Sequence, residues 1–233
     1  MRLPILLAAL LAVPASAQDT PNRLTPGHAD LAVDALTFES AAFAVETGGR
    51  QVGQITQTVT RDGPYVTVVT DIDIPEFRQA GADSVRLLRA SLAPQFLATT
   101  AGSGRPQTAA FDALRVTGTY TARGNSLPID LDLKAPVWNA GSTSVAGGPA
   151  LVARALPFRE GYSGTVQTFS PTSRLREVTL TVAGRESVDR LDGTAVSAWV
   201  VEERPEGGAQ EHAARPAPKR AGAAVGGAVT CDL

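Results

Sequence analysis

Between residues 36 and 74 the chain alternates apolar and polar side chains through three runs rich in Val, Ile, Thr and Phe. Alternation with period two marks a strand with one buried face. Gly48-Gly49 and Asp62-Gly63 separate the runs, and such dipeptides accept the positive φ of a two-residue hairpin turn. The pattern predicts an antiparallel meander. A two-residue loop also fixes register: Thr47 then faces Arg50 and Arg61 faces Pro64. Counting outward sets Phe38 opposite Val59, Ala42 opposite Ile55, Val59 opposite Val66 and Gly53 opposite Ile72.

One face of the meander thus collects Phe38, Ala42, Ile55, Val59, Val66, Val68, Ile72 and Ile74. The other collects Thr56, Thr58, Thr60, Thr67, Asp71 and Asp73. Phe43, Val45, Val52 and Val69 fall on the wrong side, which calls for a bulge or a partly covered outer face. Strands of about 10 residues, roughly 33 Å, twist strongly, so the sheet is expected to curl.

Beyond Pro75, residues 77–82 read as a helical turn or a loop, followed by shorter strands at 84–88, 95–100, 107–112 and 114–122. Residues 127–133 alternate most cleanly, with Leu127, Ile129, Leu131 and Leu133 on one face and Asp130 and Asp132 on the other. Pro149 suits the first turn of a helix that Pro157 ends; its apolar side is Leu151, Val152, Ala155 and Leu156. Strands return at 164–169 and 174–183, then as a pair about Asp192-Gly193 ending at Glu203. In the last strand the pattern allows either Val196, Ala198 and Val200 or Trp199 and Val201 to face inward.

The ends differ from this middle. Arg2, the apolar run 5–13 and Ala15-Ser16-Ala17 before Gln18 have the form of a secretory signal peptide. Residues 18–35 read as a flexible lead-in, 36–203 as one β-sheet domain, and 204–233, dominated by Ala, Gly, Pro and Arg, as a disordered or aberrant tail. The expected location is the periplasm or the medium of a bacterium, with no transmembrane segment in the mature chain.

Composition removes several function classes. A net charge of −2 with both signs scattered offers no basic stripe for nucleic acid. Cys231 is the single cysteine, so no internal disulfide forms, and a monomer is expected. His28 and His212, the only histidines, lie far apart in sequence, short of a metal or haem set. Asp71/Asp73 and Asp130/Asp132 each place two carboxylates about 7 Å apart on one strand face. Neither pair has the glycine-containing loop of an EF-hand, and both read as solvated sheet. Ser163 in Gly161-Tyr162-Ser163-Gly164 falls short of a nucleophile elbow. No cofactor, metal or catalytic residue is expected.

Three groups of segments carry a resemblance: Gly49-Arg50-Gln51-Val52-Gly53 with Thr58-Val59-Thr60-Arg61-Asp62-Gly63; Ala155-Leu156-Pro157-Phe158 with Gly161-Tyr162; and Val182-Ala183-Gly184-Arg185-Glu186 with Gly193-Thr194 and Ala198-Trp199-Val200-Val201-Glu202. They resemble a group of exported bacterial domain-of-unknown-function proteins whose sheet looks like that of the LolA/LolB lipoprotein carriers. Such domains continue with an aromatic strand, whereas residues 210–233 contain no aromatic, as a shifted reading frame or degenerate end would produce.

The resemblance implies a mainly β fold, a strongly curved antiparallel half-barrel with meander connections and one short helix on its concave side. With the apolar face of the meander and the lack of a catalytic constellation, it leads to the expectation of a non-catalytic domain binding an apolar ligand, a lipid or a lipoprotein, with Phe38, Ile55, Val66, Val68, Ile129, Leu151 and Trp199 as lining. The alternative is a structural or interaction domain of the cell envelope whose concavity is plugged by its own helix.

Overall fold

Alternating β-branched residues and tight turns do form strands. The structure, a computed structural model, describes residues 22–36, 39–47, 50–100, 106–140, 147–171, 174–189, 194–206, 219–221 and 225–226. The elements in order are β1 (Asn22–Arg23), β2 (Ser40–Thr47), β3 (Arg50–Asp62), β4 (Tyr65–Ile74), β5 (Gln79–Leu88) and β6 (Pro94–Thr99). Next come β7 (Gln107–Asp112), β8 (Arg115–Ala122), β9 (Asn125–Asp132), β10 (Trp138–Asn139) and α1 (Gly148–Ala155), the one α-helix among the described residues. The last are β11 (Ser163–Ser170), β12 (Arg174–Asp189), β13 (Ala195–Glu206), β14 (Lys219–Ala221) and β15 (Val225–Gly226).

The strands form two sheets rather than the single one expected. Nine strands run in the order β15-β2-β3-β4-β5-β6-β7-β8-β9, so the meander extends by successive neighbours as far as β9. The smaller sheet is β1-β11-β12-β13-β14, with β10 also on β11. Among the described residues all pairings are antiparallel except the two-residue parallel ones of β1 and β10 with β11. The large sheet is neither closed nor strongly curled. Its apolar face meets residues of the second sheet in one core, which buries that face without any need for closure.

Register corrects the sequence reading in two ways. In the β3–β4 hairpin the loop is Gly63-Pro64, because Asp62 pairs with Tyr65. Gly63 has φ +54 and proline holds φ negative, the order of a type II′ turn. Val59 therefore faces Val68 and Ile55 faces Ile72. The slip is two residues, which leaves every side chain on its expected face. Between β2 and β3 a bulge intervenes: Val45 pairs with Gly53 but Glu46 with Gln51, leaving Val52 as the extra residue.

That one-residue slip puts Phe43, not Ala42, opposite Ile55. Phe43 is buried and Ala42 is exposed, so the bulge explains three of the four misplaced apolar residues. Gly53 sits where a Cβ would lie 2.5 Å from the Asp73 carbonyl oxygen. Only glycine fits that approach.

A second bulge, between Val182 and Gly184 on β12, shifts its pairing with β13. Gly184 takes φ +133 there. Val200 and Val201 are consequently both buried, and Trp199 is half-buried against the main core, so neither of the two simple alternations describes β13. Leu127 is 38 % exposed, against the clean alternation of its run.

The helix begins at Gly148 with Pro149 in its first turn and buries Leu151, Val152 and Ala155. It packs on β10, β11 and β12 and on the 3₁₀ turn Val33–Ala35 of the lead-in, so it seats on the smaller sheet rather than across the meander. The turns Gly48-Gly49 and Asp192-Gly193, residues 1–17 that the sequence reads as a leader, and most of residues 207–233 lie outside the described residues. Within the predicted tail, β13 runs on to Glu206, and β14 and β15 each add a short edge strand.

Candidate functional site

The predicted lining residues are placed as follows. Val66, Val68, Ile129 and Leu151 share the main core at 2–6 % exposure. Ile55 belongs to a separate cluster with Phe43, Val52, Ile72 and Ile74. Trp199 packs half-buried on the main core, and Phe38 lies outside the described residues. The main core also holds Val152, Ala155 and Leu156 of the helical segment and Trp138, Val166, Phe169 and Leu180 of the second sheet. Phe111 of β7 meets Phe169 of β11 edge to face, ring centres 5.9 Å apart. The space between the sheets is occupied by side chains of the protein itself.

The two apolar clusters are separated by a row of polar residues that the apolar alternation alone does not single out. Gln57 pairs with Thr70, Thr70 with Asp83, Asp83 with Thr99 and Thr99 with Gln107, one residue on each strand from β3 to β7. Gln57, Thr70, Asp83 and Gln107 are buried, and Gln57 Nε2 donates to Thr70 Oγ1 at 3.2 Å. Gln57 and Thr70 share the parity of Val59 and Val68, so the counting that placed the valines inward placed these inward too.

Three segments distant in sequence converge on the smaller sheet. Phe158 stacks on Trp199 with ring centres 5.8 Å apart and planes inclined by 13°. Arg185, paired with Trp199 in the register, lies with its guanidinium 5.4 Å from the indole centre. Phe158 is 42 % exposed, leaving an aromatic surface at this place. Beneath it, Gly161 N–H donates to the Val182 carbonyl and Val182 N–H to the Tyr162 carbonyl, both at 2.9 Å.

Tyr162 donates its hydroxyl to Asp30 Oδ2 at 2.8 Å. Burial, and then the bond to Asp30, push its pKa up from 10.0 to about 12. The unfolded chain releases this proton first, so the stabilisation is intact below pH 10 and is lost as the pH rises towards about 12. Tyrosinate absorbance is expected to show a late phase, towards about pH 12, from Tyr162. Tyr162→Phe should remove that late phase, and its absence from the native protein, or its survival in the variant, would contradict the burial.

The carboxylate pairs are surface features. Arg115 donates Nε and Nη2 to the two oxygens of Asp130, each at 2.9 Å, and that pairing raises the arginine's pKa. Asp71 and Asp73 are exposed and line an outer groove of about 540 Å³ with Gln54, Thr56 and Thr100. Ser163 Oγ contacts the Leu180 carbonyl at 3.3 Å and Thr181 Oγ1 at 3.1 Å, bonds within the sheet. Among the described residues no three His, Cys, Asp or Glu come together as metal ligands. No helix among them is long and apolar enough to cross a membrane.

A smaller cleft of about 280 Å³ opens at the hairpin end of β3–β5, lined by Val33, Asp34, Leu36, Arg61, Val66 and Arg89. Arg61 Nη2 donates to the Leu36 carbonyl. Arg89 is held through its backbone, its N–H donating to the Pro64 carbonyl at 2.8 Å.

A family model of proteins of unknown function, DUF3108, matches residues 42–214. The chain belongs to the DUF3108 family. The DUF3108 match runs from within β2 to beyond β13 and so contains the polar row, α1 and the Phe158–Trp199–Arg185 stack. Asp30, Asp34 and Leu36 precede it. No curated protein and no solved structure matches the chain.

Proposed function

We propose that this DUF3108 protein is an exported, non-catalytic β-domain serving as a structural or interaction domain of the bacterial cell envelope. Its second sheet, with the helix seated on it, covers the apolar face of the large sheet that a lipid carrier would leave open. One observation carries the reading: Val66, Val68, Ile129 and Leu151 are 2–6 % exposed in a core shared by both sheets. A carrier of the LolA/LolB kind needs such side chains facing free space, because an acyl chain gains its affinity by covering apolar surface otherwise open to water. Export is supported by the leader at residues 1–17. The partner surface most consistent with an interaction role is the Phe158–Trp199–Arg185 stack, since exposed aromatic and arginine side chains dominate binding hot spots.

The test uses an uncharged fluorescent acyl lipid titrated into protein purified from the periplasm. No saturable binding is expected, and one-to-one binding would overturn the plugged interior. For the interaction role, a photo-crosslinking side chain at position 158 in living cells should give a discrete adduct that Arg185→Ser abolishes. Background alone would count against it.

A further inference from the structure

We propose that the cleft at the hairpin end of β3–β5 binds a small amphiphile carrying one anionic head, a carboxylate or phosphate monoester, on a short apolar body. The idea goes beyond the proposed function and does not rest on it, since this cleft is open at the surface while the interior is filled. Register places Arg61 on the inward side of β3, directly opposite Val66, and Arg89 follows Leu87 with the same parity just past β5. Two exposed guanidinium groups therefore rim an apolar floor made by Val33, Leu36 and Val66.

Arg61 spends one of its five N–H groups on the Leu36 carbonyl, which aims the rest. The side chain of Arg89 makes no hydrogen bond or ion pair among the described residues, so its fork is available to an oxyanion. With Asp34 on the same wall, the lining carries two positive charges and one negative. An anionic head is thus attracted to the arginine side and held away from Asp34. The volume, about 280 Å³, lies at the low end of small-ligand pockets and suits a short tail rather than a full lipid.

Octanoate and octyl phosphate are the probes, titrated calorimetrically into the purified protein, with octanol and inorganic phosphate as controls. Saturable binding of at least one amphiphile is expected, and the pair distinguishes a carboxylate from a phosphate head. Neither control should bind comparably. Arg89→Gln, which removes no bond of the fold, should weaken binding about tenfold or more, the value of a charge-assisted hydrogen bond. Asp34→Asn should tighten it, and Arg123→Gln on the β8–β9 turn should leave it unchanged.

Absence of saturable binding by either amphiphile, or binding that survives Arg89→Gln, would overturn the proposal. Equal binding of octanol or of inorganic phosphate would overturn it as well, by showing that head or tail is irrelevant. The uncharged lipid that tests the filled interior lacks the anionic head, so the two readings fail separately.

Discussion

Trp138→Ala is expected to lower the unfolding free energy by about 3–5 kcal/mol, the range for deleting a large buried aromatic. Trp138 is fully buried, and its indole Nε1 donates to the Leu24 carbonyl at 2.8 Å. Leu24 in turn donates its N–H to the Thr165 carbonyl at 2.8 Å. The side chain therefore ties the lead-in and β10 to β11. Gly148 approaches so closely that a Cβ there would lie 2.5 Å from Trp138 Cβ, which leaves the surroundings little room to collapse into a void. Trp138→Phe should cost less, about 1–3 kcal/mol, chiefly for the stranded Leu24 carbonyl. Denaturant unfolding of the three proteins measures both terms. A loss under about 0.5 kcal/mol for the alanine variant, the level of a surface substitution, would mean that the two sheets do not close on this residue.

Leu151→Ala is the second large effect. Leu151 is 2 % exposed among residues of both sheets, so truncation should cost about 2–5 kcal/mol. The size of this loss discriminates between two roles for α1. A helix lying as a loose cover over an empty cup would lose little on truncation, because water or ligand already touched the side chain. A helix built into the core leaves a dry cavity when Leu151 is shortened. The Leu151→Ala protein should therefore melt earlier and recover part of its stability in the presence of a small neutral apolar compound such as benzene. The native protein should not respond to that compound.

Much of the β architecture was legible in the sequence because period two survives small errors of register. The β3–β4 loop lies one residue beyond the Asp62-Gly63 signal, yet the resulting slip of two residues keeps Ile55, Val59, Val66 and Val68 on one face. Pro149 and Pro157 bracketed the helix correctly. Bulges were harder. The misplaced Phe43, Val45 and Val52 call for a bulge between β2 and β3 without marking which residue is the extra one, and the pairing assigns it to Val52. Gly184, with φ +133, hid the second bulge and with it the burial of both Val200 and Val201.

The split into two sheets was not legible, since it depends on pairing between distant segments. Two-residue strands such as β1 and β10 are too short to show a period at all. The candidate sites divide the same way. The polar row could have been found by following Gln57 and Thr70 with the same parity as their apolar neighbours. The Arg61–Arg89 cleft could not, because the lead-in that forms its other wall carries no signal of where it docks.

The filled interior is tested most directly by a nuclear Overhauser measurement between the rings of Phe111 and Phe169, one from each sheet. Their centres lie 5.9 Å apart, so a strong ring-to-ring effect is expected, along with contacts from the Leu151 methyls to the same core. Loss of the Phe111–Phe169 effect, with both rings instead reporting proximity to a bound acyl chain, would contradict it.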